Sequence, residues 1–244
     1  MTDQARAGAG LDYGRFEALT FDCYGTLIDW EAGILAGLRP ALAASGVNPS
    51  DDELLEVYSR AEAAAEAGPY RRYRDILAGC HREVCVHFGA EPRDEAAVGF
   101  GQSVGAWPAF PDSTEALRQL GSRYRLGVIT NCDDDLFAAS NRRLGVAFDW
   151  IVTAEAVGSY KPDHRNFEAA FATVGLPRER ILHVAQSLFH DHVPARALGL
   201  STVWIDRRHD RSGLGATPSA TVTPDATFPD MASFAAAAIA ANQD

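Results

Sequence analysis

An alternation of two residue patterns constrains this chain most. Five short apolar runs lie at residues 18–21, 126–130, 150–153, 181–185 and 202–205, each rich in Val, Ile, Leu or Phe and each ending in polar or turn residues. Runs this short and this continuously apolar read as strands covered on both faces. Helix-like segments separate most of them, at 113–120, 134–144, 164–174 and 192–198. Strand and helix in turn imply an α/β fold built on a Rossmann-like parallel sheet with helices on both faces. Ligands of such sheets bind beyond the carboxyl ends of the strands, so the polar residues at those ends carry the functional question.

One long stretch breaks the alternation. From about residue 30 to residue 110 only helical patterns appear. Asp51, Asp52 and Glu53 open one helix, whose apolar side is Leu54, Leu55, Val57 and Tyr58. A second covers about 70–88; Gly68-Pro69 separates the two, and Trp107-Pro108 and Phe110-Pro111 close the stretch. The expected organisation is a flexible N-terminus at 1–16, an α/β core at 17–29 and 111–244, and a helical cap at 30–110. Residues 212–224, rich in Gly, Pro, Thr and Ser, read as a loop, and 231–241 as a closing helix.

Composition narrows the partners. The formal net charge of -11 is the wrong sign for a uniform nucleic-acid binder or an anionic-membrane binder. A small anionic substrate remains compatible, because a local pocket can be positive. The first 15 residues lack the apolar core of a secretory signal. No run approaches the roughly 20 apolar residues of a membrane span, and the expected location is cytoplasmic. Cys80, His81, Cys85 and His87 cluster in sequence, but their spacing fits no common zinc or haem pattern, and a structural role is expected for them.

Four strand ends bring polar groups to one edge. Asp22 directly follows the first run, with Gly25 able to make a tight turn and Thr26 offering a hydroxyl to aim the carboxylate. Backbone N–H groups around Tyr24 and Gly25 can hold an anion. An Asp in this position is also a common turn former or helix cap. Thr130 and Asn131 end the second run. Lys161 follows the third and needs facing carboxylates if it is buried. Gln186 and Ser187 end the fourth, with His190 and Asp191 beyond.

These four segments, in this order, resemble the four motifs of the haloacid dehalogenase superfamily, over nearly the whole chain from about Glu17. The insertion after the first motif resembles that superfamily's first type of cap. The resemblance implies that Asp22 is a nucleophile forming a covalent ester, and that Thr26, Thr130, Lys161 and Asp191 occupy family positions. Phosphatases of the superfamily read DxDxT, with the second Asp as general acid and base; Tyr24 stands there instead, and a phenol of pKa near 10 replaces a carboxyl poorly. Where their fourth motif supplies an acid to Mg²⁺, this chain has the neutral Gln186. Loss of both acids disfavours phosphoryl transfer.

Both departures suit a halide leaving group, which needs no proton. The segment FDCYGTL resembles the 2-haloacid dehalogenase branch, and the resemblance implies metal-free, cofactor-free hydrolysis of a small 2-halocarboxylic acid by a homodimer. Asp22 would displace the halide with inversion, and water activated near Asp191 and Lys161 would hydrolyse the ester. Lys161 would keep Asp22 ionised. Tyr24, Gly25, Thr130, Asn131, Phe167, Gln186, Ser187 and His190 would hold the substrate. Two positions depart from that branch: Phe167 stands where it carries Tyr, and Ser59 where it carries a halide-binding Arg. Arg71, with Arg72 and Arg74 nearby, is the expected substitute, against a plain solvated helix face. The alternatives are a metal-free hydrolase acting on another electrophilic carbon, such as a strained ring acid, and a Mg²⁺-dependent phosphatase. A non-catalytic binding protein on the same scaffold is a further class.

Overall fold

The computed structural model describes residues 11–211, 213 and 215–241. Strand β1 (Ala18–Phe21) is buried at every position and starts the sheet. Helices α1 (Trp30–Ala44), α2 (Asp51–Glu66), α3 (Tyr73–His87) and α4 (Asp94–Gln102) follow before the chain returns through α5 (Ser113–Gly121) to β2 (Arg125–Thr130). Then come α6 (Asp134–Leu144), β3 (Trp150–Thr153), α7 (Ala154–Val157), α8 (His164–Val174) and β4 (Ile181–Ala185). A π-helical turn at Leu188–His192 leads into α9 (Val193–Ala197), and β5 (Ser201–Ile205), β6 (Ala226–Phe228) and α10 (Met231–Ala240) complete the chain.

All strand pairs are parallel, in the order β3-β2-β1-β4-β5-β6. The chain runs outward from β1 in one direction through β2 and β3, then crosses to β4 on the other side. The gap between β1 and β4 is therefore the topological switch point, where open α/β sheets bind ligands. Phe21 is level with Val184 and Val128, so Asp22, the residues after β4 and those after β2 emerge side by side.

Local chemistry explains the inserted helices. Asp29 caps α1 by accepting from the Ala32 N–H at 3.1 Å. Ser50 and Glu53 form a reciprocal capping box at the start of α2. The buried stripe of α2 runs through Leu54, Leu55, Tyr58 and Ala61, the i, i+3, i+4 spacing of an amphipathic helix. Glu62 lies on the same stripe, so the helix places a carboxylate where an apolar residue would ordinarily pack.

Two sequence expectations need revision here. Residues 1–10 lie outside the described residues, but the remainder of the expected flexible N-terminus is packed: Tyr13 and Phe16 are buried, and the Tyr13 ring meets Phe234 at 6.2 Å. Strand β6 was absent from the sequence reading, because three residues with a central Thr give too short a pattern to register. In the expected loop at 212–224, the described residues form no strand or helix, and Ser212 and Leu214 lie outside the described set. Cys80 and Cys85 are buried, and Cys85 Sγ sits 3.8 Å from His81 Nδ1, while His87 is exposed against Phe88. Among the described residues these four make no metal-ligating group. No described helix is long and apolar enough to cross a membrane.

Candidate active site

The first motif makes a tight turn at the end of β1. Gly25 adopts φ +93°, and a Cβ there would lie 3.0 Å from the Trp30 indole nitrogen and 3.1 Å from Gln186 Oε1. Both backbone sign and space require glycine at this point. Gly25→Ala is expected to cost about 1–2 kcal/mol of stability from backbone strain alone. Urea unfolding of the variant measures it, and an unchanged midpoint would show that the turn tolerates a side chain.

The turn brings Thr26 back onto Asp22. The Thr26 hydroxyl donates to Asp22 Oδ2 at 2.7 Å and accepts from the Gln186 N–H at 2.9 Å. Lys161, 1% exposed, donates to Asp22 Oδ1 at 2.8 Å, to Asp191 Oδ1 at 2.7 Å and to the Ile129 carbonyl at 2.9 Å. Those bonds use all the N–H donors an ammonium has. Lys161 thus joins the ends of β1 and β2 to the turn after β4. The cost of burying its charge is offset by two carboxylates, and the net effect raises its pKa above the ordinary lysine value.

The two carboxyls respond differently. Burial pushes Asp191 up, but Lys161 and the hydrogen bond from His183 outweigh it, and its pKa ends well below the usual carboxylate range. For Asp22 burial is the largest effect; Lys161 opposes it, Asp191 reinforces it, and the net direction is upward. Asp191 is thus the member held anionic most firmly, and the ionisation of Asp22 depends more on its surroundings than the sequence reading supposed. His183 was not anticipated. It is buried on β4 with Nε2 2.9 Å from Asp191 Oδ1 and Nδ1 2.8 Å from the Thr20 hydroxyl. An ionised Asp191 only accepts, so His183 Nε2 carries the hydrogen that joins them.

A chamber of about 30 Å³ opens at this cluster. Tyr24, Asn131, Ser187 and His190 line it with Asp22, Lys161 and Asp191, as the sequence suggested. Their free chemistry is narrower than expected. The Tyr24 hydroxyl meets Ser140 Oγ at 2.9 Å and accepts from the Cys132 thiol at 3.3 Å, and burial pushes its pKa well above the ordinary phenol. The Asn131 amide donates to Glu66 Oε2 at 3.1 Å and to the Lys161 carbonyl at 3.0 Å, and its oxygen accepts from the Lys161 N–H. Both of its amide hydrogens are engaged. Burial lowers His190 to about 4, so it is neutral near pH 7.

Five expected substrate contacts lie elsewhere. Gly25 and Gln186 lie behind the chamber, bordering a crevice with Arg207 and Arg208, and Gln186 Oε1 accepts from Thr217 at 3.1 Å. Thr130 is fully buried and outside the chamber lining, beneath the residue that reaches it. Phe167 packs edge-on against His183, ring centres 5.1 Å apart, in the core under β4. It therefore packs behind Asp191 and is not part of the chamber lining. Arg71 is exposed, just before α3, and contributes its backbone carbonyl to the Tyr160 hydroxyl at 2.9 Å. Arg72 and Arg74 are held by Asp133, Asp135 and Glu155.

The inserted helices instead contribute Trp30, Glu62, Glu66 and Tyr73, and Thr217 completes the lining. Glu62 is 3% exposed, and its Oε1 accepts from both Tyr58 and Tyr73 hydroxyls at 2.7 Å. Burial raises its pKa to about 7 despite those two bonds. A carboxyl that keeps its proton longer in the folded state favours folding most below its unfolded value near 4.5, and the advantage disappears as pH rises to about 7. The loss is on the order of 3 kcal/mol. Replacing Glu62 by Gln removes this dependence, so the stability of Glu62→Gln relative to the parent should grow between pH 5 and 8. Parallel denaturant titrations check the sign; a constant difference would contradict it. The sequence signal for Glu62 was its place on the apolar stripe of α2.

Outside the chamber, a cleft of about 360 Å³ is lined by α2 residues Ala63 and Glu66, by Tyr70 and Tyr160, and by Lys161, Phe189 and His190. Glu66, Lys161 and His190 border both spaces.

Known proteins agree with this architecture. The sequence is 27% identical over 213 residues to an (S)-2-haloacid dehalogenase, H-109, of Pseudomonas putida, covering 83% of this chain and 92% of that one. It is 25% identical over 212 residues to haloacetate dehalogenase H-2 of Moraxella sp. (strain B), covering 85% and 94%. The fold superimposes with a TM-score of 0.74 on the L-2-haloacid dehalogenase of Xanthobacter autotrophicus with chloropropionic acid covalently bound, at 17% identity, over 91% of this chain and 97% of that one. The family described as haloacid dehalogenase-like hydrolase matches residues 16–188. With most of its length matched by that family, the chain belongs to the haloacid dehalogenase-like hydrolases.

Proposed function

We propose that this chain is an (S)-2-haloacid dehalogenase-like hydrolase whose nucleophile is Asp22. One observation carries the reading: Lys161 lies between Asp22 and Asp191, hydrogen-bonded to both. That arrangement places an anionic oxygen at a nearly closed chamber and compensates its charge with a fixed ammonium. An Asp22 oxygen attacks the carbon that bears the halogen, the carbon–halogen bond breaks with its electron pair on the halide, and an ester forms. Water then adds to the ester carbonyl. The alcohol leaves, Asp22 regains its carboxylate, and one proton is released with the halide.

Each step has matching groups. The halide needs no proton, and the Tyr24 phenol, held by Ser140 and Cys132, is in no position to give one. Asp191 keeps one oxygen, Oδ2, without a hydrogen-bond partner, which supports its assignment as the acceptor for the hydrolytic water. The names of the curated relatives support a carbon–halogen substrate. The donors suit Mg²⁺ poorly: the Lys161 ammonium bridges Asp22 and Asp191, and Gln186 turns its oxygen to Thr217.

The test is chloride release from (S)-2-chloropropionate in excess chelator, with product and stereochemistry followed. Release with inversion is expected. Phosphate-ester hydrolysis that requires Mg²⁺, with no halide release, would reject the reading.

A further inference from the structure

Strands β1 and β4 each carry one polar side chain within an otherwise apolar run, Thr20 and His183. The two residues are paired in register on the central strands of the sheet, and both are buried. An imidazole buried among apolar neighbours is unfavourable unless its ring nitrogens find partners. Here both do: Nδ1 lies 2.8 Å from the Thr20 hydroxyl and Nε2 lies 2.9 Å from Asp191 Oδ1. A hydroxyl serves as donor or acceptor, so the Thr20 bond stands whichever protons the ring carries. The Phe167 ring packs edge-on against the same imidazole at 5.1 Å.

The bond to Asp191 differs from the other hold on that carboxylate. Lys161 also donates to Asp191 Oδ1, at 2.7 Å, but the same ammonium donates to Asp22. Its position therefore answers to the state of Asp22. Once Asp22 is an ester its negative charge is gone, and one of the two attractions that centre the ammonium weakens. His183 has no such double duty, because its partners are Asp191 and Thr20. It keeps its hold at the stage when Asp191 is needed.

The two donors converge on Oδ1 and leave Oδ2 without a hydrogen-bond partner among the described residues. A carboxylate pinned at one oxygen from two directions keeps the other in one orientation. Asp191 itself, eight residues beyond His183, lies in the π-helical turn at Leu188–His192, a backbone form frequent at functional sites.

We propose that His183 is a positioning residue for the second half of the reaction: through its hydrogen bond it holds Asp191 ready to take a proton from the hydrolytic water. The proposal rests on the reading of Asp22 as nucleophile and Asp191 as the acceptor for that water. In this step the water oxygen bonds to the Asp22 acyl carbon as one of its protons passes to Asp191. The bond from that carbon to the alkyl oxygen then breaks, and the alcohol leaves with the proton. The second proton of the water dissociates as Asp22 regains its carboxylate. The halide has already left, so the first half of the reaction makes no call on His183.

Rapid-quench kinetics of the full chain on (S)-2-chloropropionate separate the two halves. Halide release reads the first, and the mass of the peptide containing Asp22 reads the ester between them. His183→Leu is expected to release its first equivalent of halide at the parental rate. It should then slow about tenfold or more in the steady state while the ester accumulates. His183→Gln, whose amide can place an N–H where Nε2 stands, should restore part of the steady-state rate. Thr20→Val keeps the ring's bond to Asp191, removes its far anchor, and should slow ester loss about threefold. That variant carries the test if circular dichroism shows His183→Leu unfolded, and ester loss at the parental rate in it would then overturn the proposal. So would a first equivalent slowed as much as the steady state, an unchanged steady-state rate, no ester beyond the parent's, or a Gln variant as slow as the Leu variant. A parent that releases no halide and forms no ester would instead reject the reading of Asp22, and the proposal with it.

Discussion

Asp22→Asn is expected to lower halide release by about 10⁴-fold or more, as loss of a covalent nucleophile does in other hydrolases. The change removes the anionic oxygen while keeping the side chain's shape. The amide oxygen keeps an acceptor for Lys161 while the amide nitrogen turns to Thr26, whose hydroxyl can rotate to accept, and Lys161 keeps its bonds to Asp191 and Ile129. One of two buried acids that repel each other is gone, so the fold should be preserved. Circular dichroism and an unfolding curve establish that point. Repeated turnovers by the parent in ¹⁸O-water should place label in the peptide that contains Asp22, because each ester hydrolysis leaves one solvent oxygen on the carboxylate. Retained activity in the variant, or label confined to product, would assign the attack to water instead.

Lys161→Ala should be nearly as damaging and should also move the pH profile. Removing the ammonium leaves Asp22 and Asp191 buried and facing each other, and breaking such a pair typically costs about 3–5 kcal/mol. The direction of the kinetic effect follows from the charges. Burial already holds Asp22 above the ordinary carboxylate pKa, and Lys161 is the main opposing influence. Without it the nucleophile takes up its proton at still higher pH. The acidic limb of kcat/KM should therefore move upward, and the rate near neutral pH should fall by roughly 10²–10³-fold, since a nucleophile protonated far below its working range loses about a factor of ten in carboxylate for every pH step the limb climbs past neutrality. A variant that loses rate uniformly at all pH values would mark Lys161 as a positioning residue only.

The legible parts of the chain were those fixed by local pattern. The runs ending at Phe21, Thr130, Thr153, Ala185 and Ile205 became strands because continuous apolar character with β-branched residues suits a sheet covered on both sides. Asp22, Thr26, Lys161 and Asp191 followed from their places after strands, and the structure brings all four into one hydrogen-bonded cluster. Groups whose role is set by distant packing were hidden. Glu62 falls on the apolar stripe of α2 but, like Glu66, sits among alanines and reads as an ordinary helix acid until α3 supplies Tyr73 and the core supplies Asn131. His183 looked like part of an apolar run, yet it anchors Asp191. Arg71 misled for the converse reason. An arginine near the cap's edge satisfied a charge argument, but α3 begins two residues later and turns Tyr73 inward while Arg71 remains outside.

The three side chains shared by the chamber and the outer cleft act as a partition. Behind them lies room for little more than one water molecule, so a larger solute fits beside Asp22 only when the Glu66 and His190 side of that lining moves. The latch on this wall is the Asn131–Glu66 hydrogen bond. Where breaking that contact limits entry, turnover is expected to fall in a viscous solvent even on the most reactive halide, and a rate independent of viscosity would show that it does not.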